Sequence, residues 1–274
     1  MIAHKPRATP TGHIPRRRFG QNFLVDSRVV HNIVAAIDPQ PDDTLVEIGP
    51  GLGALTEPLM ARVNHLHVVE IDRDLIVRLR RQYAPEKLTL HAGDALTFDF
   101  GALGGASDRG DKRLRIVGNL PYNISTPLLF HLAGCADHLH DMHFMLQKEV
   151  VERMVAKPGE AAYGRLSVML GYRFYLDWLF DAPPESFNPS PKVQSAVVRL
   201  TPKSAAERAL CDIATLEKIV AAAFSQRRKM LRNTLKPLFA TDELTALNIA
   251  PTQRAEDIPL AGFIALANQF STRS

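Results

Sequence analysis

An α/β fold built on a doubly wound, mostly parallel sheet is what three features of this sequence predict. Short apolar runs alternate with stretches of helical period from residue 26 to residue 155, the spacing of strand–helix–strand units. Gly49-Pro50-Gly51-Leu52-Gly53 follows one of these runs and opens a helical stretch, the place where such sheets bind ligands. Later the pattern changes to two β-rich segments around a proline-dense loop, and then to helix formers. These add a terminal antiparallel strand and a small all-helical carboxyl-terminal domain.

Taken in order, Asp26 and Ser27 cap a helix with Val29, Val30, Ile33, Val34 and Ile37 on one face. Pro39 and Pro41 end it. Thr44 to Ile48 is a short strand, and the glycine loop leads into a helix reaching about Arg62. His67 to Ile71 is a second strand, Asp74 to Gln82 a helix, and Leu88 to His91 a third strand. A loop rich in Gly and Asp, Gly101 to Asp111, precedes the fourth strand, Leu114 to Val117. Pro127 opens a helix to about Ala133. Met142 to Leu146 is the fifth strand, followed by a helix from Lys148 to Val155. Tyr172 to Phe180 and Ser195 to Thr201 flank the loop Pro183 to Pro191 and suggest a hairpin. Residues 1–18 read as a basic arm, 19–203 as the sheet domain and 204–274 as the helical domain.

A length of 274 residues with 46% hydrophobic and 23% charged residues fits a globular chain with a real core. No run of about 18 apolar residues is present, which argues against a membrane span. Cys135 and Cys211 have no metal or redox spacing and fit a reducing cytosol. Net charge is +4, but its placement is lopsided. Residues 1–25 carry Lys5, Arg7, Arg16, Arg17 and Arg18 without an acid, and Gln226 to Lys236 carries Arg227, Arg228, Lys229, Arg232 and Lys236 without an acid. A solvated face is the plain reading of either segment alone; two of them flanking a ligand fold point to a phosphate backbone as partner. A transit peptide is disfavoured at the amino end by Pro6, Pro10 and Pro15 and by the lack of serine.

The glycine loop lacks a following Lys-Ser/Thr, so it is not a Walker phosphate loop. Glycines alone leave nicotinamide and sulfonium cofactors both open. Glu47 stands two residues before Gly49, Glu70 ends the second strand, and Asp94 follows the third. Glu70 is placed for ribose hydroxyls and Asp94 for an adenine amino group, although each acid alone also reads as a turn or surface residue. Three acids at the carboxyl ends of successive strands, beside a glycine loop that includes Gly49 and Gly51, favour a bound adenosyl group.

Asn119-Leu120-Pro121-Tyr122 follows the fourth strand and ends it abruptly, because Pro121 cannot continue a ladder. An amide acceptor, a free carbonyl from Leu120 or Pro121 and the Tyr122 ring are what an exocyclic amine on a flat heterocycle requires. A strand ending in a turn is the plain alternative. Phe187, in the proline-dense loop, is a candidate cover for the other face of the base, or else a core plug. Phe19 and Phe23 are candidates for a lid over the cofactor, or else an anchor for the arm. His138, His140 and His143 lie near Asp137 and Asp141 but do not share a helix face, so no metal site is expected.

Phe19-Gly20-Gln21-Asn22-Phe23-Leu24, Glu47-Ile48-Gly49-Pro50-Gly51, Asn119 through Thr126, Gln147-Lys148-Glu149-Val150, Tyr163-Gly164-Arg165-Leu166-Ser167 and Pro191 through Val198 occur in order. Together with Gln226-Arg227-Arg228-Lys229, this set closely resembles the small-subunit ribosomal RNA adenine dimethyltransferase family from about Arg16 onward. Gln194 stands where that pattern has an acid. The resemblance implies a Rossmann-like class I methyltransferase sheet, S-adenosyl-L-methionine as cofactor without a metal, and N6-dimethylation of two adjacent adenosines. Those adenosines lie in a hairpin loop near the 3′ end of 16S rRNA, within a pre-30S or 30S particle in the cytoplasm. It further implies that Asn22, Leu24, Gly49, Glu70, Asp94 and Asn119 contact the cofactor. Asn119 and the Leu120 or Pro121 carbonyl would accept the N6 hydrogens, and Tyr122 would stack on the flipped adenine. Arg227, Arg228, Lys229 and Arg232 are expected on one cationic helix against rRNA backbone, and nothing demands more than a monomer. The rivals are a large-subunit adenine methylase, an assembly factor whose methylation is secondary and, least favoured, a nicotinamide enzyme.

Overall fold

Nine strands form two sheets in the computed structural model, which describes residue 16, residues 20–104 and residues 114–273. The arm cations Lys5, Arg7, Arg17 and Arg18, with Phe19 and positions 105–111 of the Gly- and Asp-rich loop, lie outside the described residues. In chain order the strands are β1 (Phe23–Leu24), β2 (Leu45–Ile48), β3 (Leu66–Glu70), β4 (Leu88–Ala92) and β5 (Leu114–Asn119). They continue with β6 (Leu139–Gln147), β7 (Phe174–Ala182), β8 (Phe187–Asn188) and β9 (Ser195–Pro202).

The large sheet runs β4-β3-β2-β5-β6-β9-β7. Pairings from β4 through β6 are parallel, and β9 joins β6 antiparallel. The expected doubly wound sheet with a terminal antiparallel strand is therefore present. From β2 the chain winds outward to β4 and then returns to the other side of β2 as β5. This reversal leaves a crevice at the carboxyl ends of β2 and β5. β2 is buried at every position, as parallel strands covered on both faces must be.

The first helix spans Ser27–Ile37, capped by Asp26, whose carboxylate accepts from the Arg28 N–H at 2.9 Å. It ends at Asp38, which takes a left-handed φ of 47°, before Pro39 can clash. The helix after the glycine loop is shorter than expected, Thr56–Met60, because residues 51–55 are spent in turns. Helix Arg165–Arg173 precedes β7 and takes the first residues expected in that strand. β1 and β8 pair antiparallel in two residues, with Leu24 opposite Phe187. Neither was expected, since two-residue strands carry no periodicity.

Two units are distinguished, residues 1–151 with 177–202, and residues 152–176 with 203–274. In the first, Arg115 on β5 is 7% exposed and grips Asp141 on β6 with two bonds, at 2.8 and 2.6 Å. It also donates to Asp43 at 2.7 Å and to the Ile37 carbonyl at 2.6 Å. Burial pulls its guanidinium down, but the bonds to Asp141 and Asp43 outweigh this and hold it above the ordinary arginine value. In the second unit, helices Ile213–Ala223 and Leu260–Ser271 pack on each other and on Arg165–Arg173. The rings of Phe224 and Phe263 stack with centroids 5.7 Å apart, and Tyr163 Oη donates to the Ile258 carbonyl at 3.0 Å.

Among the described residues, no helix is long and apolar enough to cross a membrane. None of their His, Cys, Asp and Glu side chains form a group of three or more able to hold a metal ion. His143 lies buried in β6, and burial first of all pushes its imidazole down to about 4, so it stays neutral.

Candidate active site

The crevice at the sheet reversal is a cleft enclosing about 940 Å³ of empty space, part of it open solvent. Its floor is the glycine loop. Gly49, Gly51 and Gly53 have φ of 65°, 59° and 92°, a region that side-chain-bearing residues avoid. Their necessity differs in kind. A Cβ on Gly51 would lie 3.0 Å from the Phe23 ring, whereas one on Gly49 would meet nothing within 4 Å. Gly93, also lining the cleft, has the same open surroundings. Backbone at these two points is bare toward free space, as close approach by a ligand requires.

Three acids ring the floor at the ends of β2, β3 and β4. Glu70 Oε1 accepts from the Ile71 and Asp72 N–H groups, both at 2.9 Å, and Oε2 from Gly51 N–H at 3.4 Å. Burial raises its pKa, while those three N–H groups oppose the rise. Asp94 uses Oδ1 to cap its own turn, accepting from Leu96 N–H at 3.0 Å. The turn role and a place on the cleft wall coexist. Glu47 is 2% exposed and accepts from the Thr56 hydroxyl at 2.6 Å. Burial first, and then the charge of Glu70, lift it to about 8 against the opposing Thr56 bond.

That shift has a sign. A carboxyl whose folded pKa exceeds its unfolded value binds more protons when folded, so its contribution falls as pH rises from about 4.5 to about 8. Glu47→Gln keeps an acceptor for Thr56 and removes the titration. Relative to the parent, the ligand-free variant is expected to gain melting temperature progressively between pH 5 and pH 8. The underlying difference in unfolding free energy is on the order of a few kcal/mol at the upper end. Parallel scans across that range would refute it by giving superimposable curves.

Next to β2 in the sheet, β5 ends in Asn119, which also lines the cleft. Its Nδ2 donates to the Asn22 carbonyl at 3.0 Å. A carbonyl only accepts, so the amide nitrogen must face Asn22, and Oδ1 is left without a partner among the described residues. The Pro121 carbonyl already accepts from Ile124 N–H at 3.2 Å and from the Ser125 hydroxyl at 3.0 Å. The Leu120 carbonyl accepts no hydrogen bond from the described residues, so of the two expected acceptors it is the one still available. Tyr122 completes the rim, its hydroxyl 2.9 Å from Ser195 Oγ.

A family described as "Ribosomal RNA adenine dimethylase" matches residues 12–272 of this sequence. The chain belongs to the ribosomal RNA adenine dimethylase family. "Ribosomal RNA small subunit methyltransferase A" of Dechloromonas aromatica is 62% identical over 260 residues, covering 95% of this chain and 99% of that relative. The protein of the same name from Thiobacillus denitrificans is 61% identical over 261 residues, covering 95% and 100%. Among solved structures, a dimethyladenosine transferase from Plasmodium falciparum superposes with a TM-score of 0.77 at 24% identity, covering 92% of this chain and 98% of that one. The 23S rRNA methyltransferase ErmE does so with 0.67 at 22% identity, covering 91% and 100%. At these identities the two structures speak for the Rossmann-like methyltransferase fold.

For a member of the ribosomal RNA adenine dimethylase family, the cleft gathers nearly every expected side chain. Asn22, Leu24, Glu47, Gly49, Gly51, Glu70 and Asp94 line it, as do Asn119, Leu120, Pro121 and Tyr122. Phe187 is the exception: of its two readings, cover or core plug, its surroundings in this structure agree with the second. It is 4% exposed, pairs through β8 with β1, and packs in the apolar core with Leu24, Val29 and Val197. An apolar ring at that register lowers its free energy more by joining the core than by facing water.

The cationic segment also differs from expectation. Arg227, Arg228 and Lys229 lie in exposed turns, and only Arg232 falls in a helix, the one-turn Leu231–Thr234. Arg227 is engaged by the Ala161 carbonyl and lies 3.5 Å from Glu256. Arg228, Lys229, Arg232 and Lys236 are the exposed cations of this segment left without a carboxylate among the described residues.

Four residues of the site escaped sequence reasoning. Thr56 partners Glu47, Ser195 partners Tyr122, and Asp72 accepts from Gln21 at 3.0 Å while capping helix Arg73–Gln82. Gly118 is the fourth. A Cβ there would stand 2.6 Å from the Ile48 carbonyl, so glycine lets β5 close on β2 beneath Asn119. A glycine inside a strand, next to a candidate catalytic residue, was the available signal.

Proposed function

We propose that this chain transfers methyl groups from S-adenosyl-L-methionine to N6 of two adjacent adenosines in the 3′-terminal hairpin loop of 16S rRNA. The products are N6,N6-dimethyladenosines, the substrate is a late pre-30S or 30S particle in the cytoplasm, and the enzyme acts as a monomer without a metal. The observation that carries this reading is the amide orientation at Asn119. With Nδ2 tied to Asn22, Oδ1 and the Leu120 carbonyl are two neutral acceptors at one rim of a cleft with an adenosyl-type floor. Two acceptors match the two hydrogens of a nucleobase amine.

The residues present fit the cofactor. Bare backbone at Gly49 and Gly93 admits close approach, Glu70 and Asp94 offer acceptors for ribose hydroxyls and an adenine amine, and Glu47 can ionise in response to a cation. When bound, S-adenosylmethionine supplies a methyl group already activated by the sulfonium charge. The protein's part is orientation. Asn119 Oδ1 and the Leu120 carbonyl hold the N6 hydrogens, which draws the nitrogen lone pair out of conjugation with the purine. Tyr122 offers a face for the flipped ring, and stacking of about 1–3 kcal/mol offsets its removal from the loop. No strong base is required if the proton departs after transfer, and a monomethylated amine retains one hydrogen for one acceptor.

The names of the relatives from Dechloromonas and Thiobacillus favour the small subunit as substrate. Incubation with undermethylated small subunits and labelled cofactor, followed by mass spectrometry of rRNA digests, should show two adjacent dimethyladenosines in the 3′-terminal hairpin. Label confined to 23S rRNA would refute the substrate assignment.

Arg228, Lys229 and Arg232 are proposed to contact rRNA phosphates, while Arg227 holds their turn in place. Arg228→Gln with Lys229→Gln is expected to reduce the slope of log affinity against log salt by about two. The same titration on Arg227→Gln should show a smaller change in slope. Equal slopes for parent and double variant would remove these residues from the interface.

A further inference from the structure

The Tyr122 ring is tied to a residue 73 positions away, and this tie has a structural logic of its own. Tyr122 lies beyond the end of β5, in the turn that leads to helix Ser125–Gly134. Bonds from Ile124 and Ser125 to the Pro121 carbonyl hold that turn's backbone, but they do not hold the two side-chain torsions of the ring. The hydroxyl of Ser195 does, at 2.9 Å from the phenol oxygen.

Ser195 is well suited to act as a fixed point. It is wholly buried at the head of β9, directly opposite Gln147 at the end of β6. One residue on, Lys148 N–H donates to the Gln194 carbonyl at 2.9 Å. Strand register on an internal strand therefore sets where its hydroxyl sits. We propose that Ser195 is a positioning residue that locks the Tyr122 ring in place as a preformed wall for the target adenine. This rests on the reading of Tyr122 as the stacking residue. A free tyrosine loses torsional freedom each time a base stacks on it, whereas a locked one loses it once, on folding.

Ser195→Ala, Tyr122→Phe and their double combination remove the lock and keep the ring; Tyr122→Ala removes the ring. Each is assayed for kcat and KM on undermethylated small subunits, and for quenching of 2-aminopurine placed at the target position of an RNA hairpin. Each lock variant is expected to lose about tenfold in kcat, with KM and S-adenosylhomocysteine affinity held within about twofold. The double variant should lose no more than either single, quenching should weaken in all three, and Ser195→Thr should recover much of the loss. Parental kcat and quenching in Ser195→Ala and Tyr122→Phe, or losses that multiply in the double, would overturn the lock while leaving the stacking role intact. Parental quenching in Tyr122→Ala would instead overturn the stacking reading itself. If Ser195→Ala does not fold, Tyr122→Phe alone decides, because it removes the same bond from the other side.

Discussion

Asn119→Ala is expected to lower the single-turnover rate of methylation about a thousandfold, the scale seen when one preorganised polar group is deleted from a reacting centre. Two losses combine in that variant. The N6 amine loses one of its two neutral acceptors, and the Asn22 carbonyl loses the Nδ2 donor that ties residue 22 to the end of β5. Asn119→Asp separates these effects. It is nearly isosteric and still accepts, but it directs a carboxylate at the Asn22 carbonyl, so the tie becomes a repulsion. If orientation of the amine is what matters, both variants are slow, and S-adenosylhomocysteine affinity falls more in Asn119→Asp than in Asn119→Ala. Single-turnover rates with calorimetric affinities check this. An alanine variant within tenfold of the parent would show that the amine is oriented by something else.

The second large effect is on stability and lies away from the chemistry. Asp141→Ala leaves the buried Arg115 guanidinium facing an empty space where a two-bond partner stood. Breaking a buried pair from one side typically costs about 3–5 kcal/mol, and for a chain of this size that lowers the melting temperature by about 10 °C. Asp43 and the Ile37 carbonyl remain on the guanidinium, which sets the loss toward the lower end. The decisive comparison is Arg115→Met with Asp141→Leu. Removing both charges eliminates the uncompensated ion, so the double variant is expected to melt well above Asp141→Ala. A double variant as unstable as the single would mean that shape, not charge, makes this cluster important.

Much of the fold was legible because its signals are local. The stripe Val29, Ile33, Val34 and Ile37 with a cap at Asp26 specifies a helix wherever it packs, and the structure has it from Ser27 to Ile37. The glycine loop and the acids that end successive strands were readable for the same reason: a ligand at the carboxyl edge of a parallel sheet needs small residues and acceptors there. Boundaries were less legible. Turns in the glycine loop shortened one helix to Thr56–Met60, and helix Arg165–Arg173 displaced the start of β7.

Within the site, what the sequence left open shares one cause. Phe187 and Tyr122 are both aromatic residues beside prolines, and nothing in their neighbourhoods says which faces the cleft. Pairing of β8 with β1 buries the first; a hydroxyl on β9 holds the second at the rim. Likewise Arg227 and Arg228 are adjacent, chemically identical and both exposed, yet only the first is engaged near Glu256 among the described residues.

The sequence by itself determined the family and the residues set out for its chemistry: a glycine loop with acids at successive strand ends, a neutral amide with a ring at a strand end, and two acid-free cationic segments. Those assignments need only residue type and order. Tertiary structure alone decided that burial raises the proton affinity of Glu47, that the Pro121 carbonyl is already engaged, and that the Asn119 amide nitrogen is tied to the Asn22 carbonyl. Each of these depends on which groups distant in the chain share a low-dielectric space, and proton affinities and hydrogen-bond partners are set by that proximity.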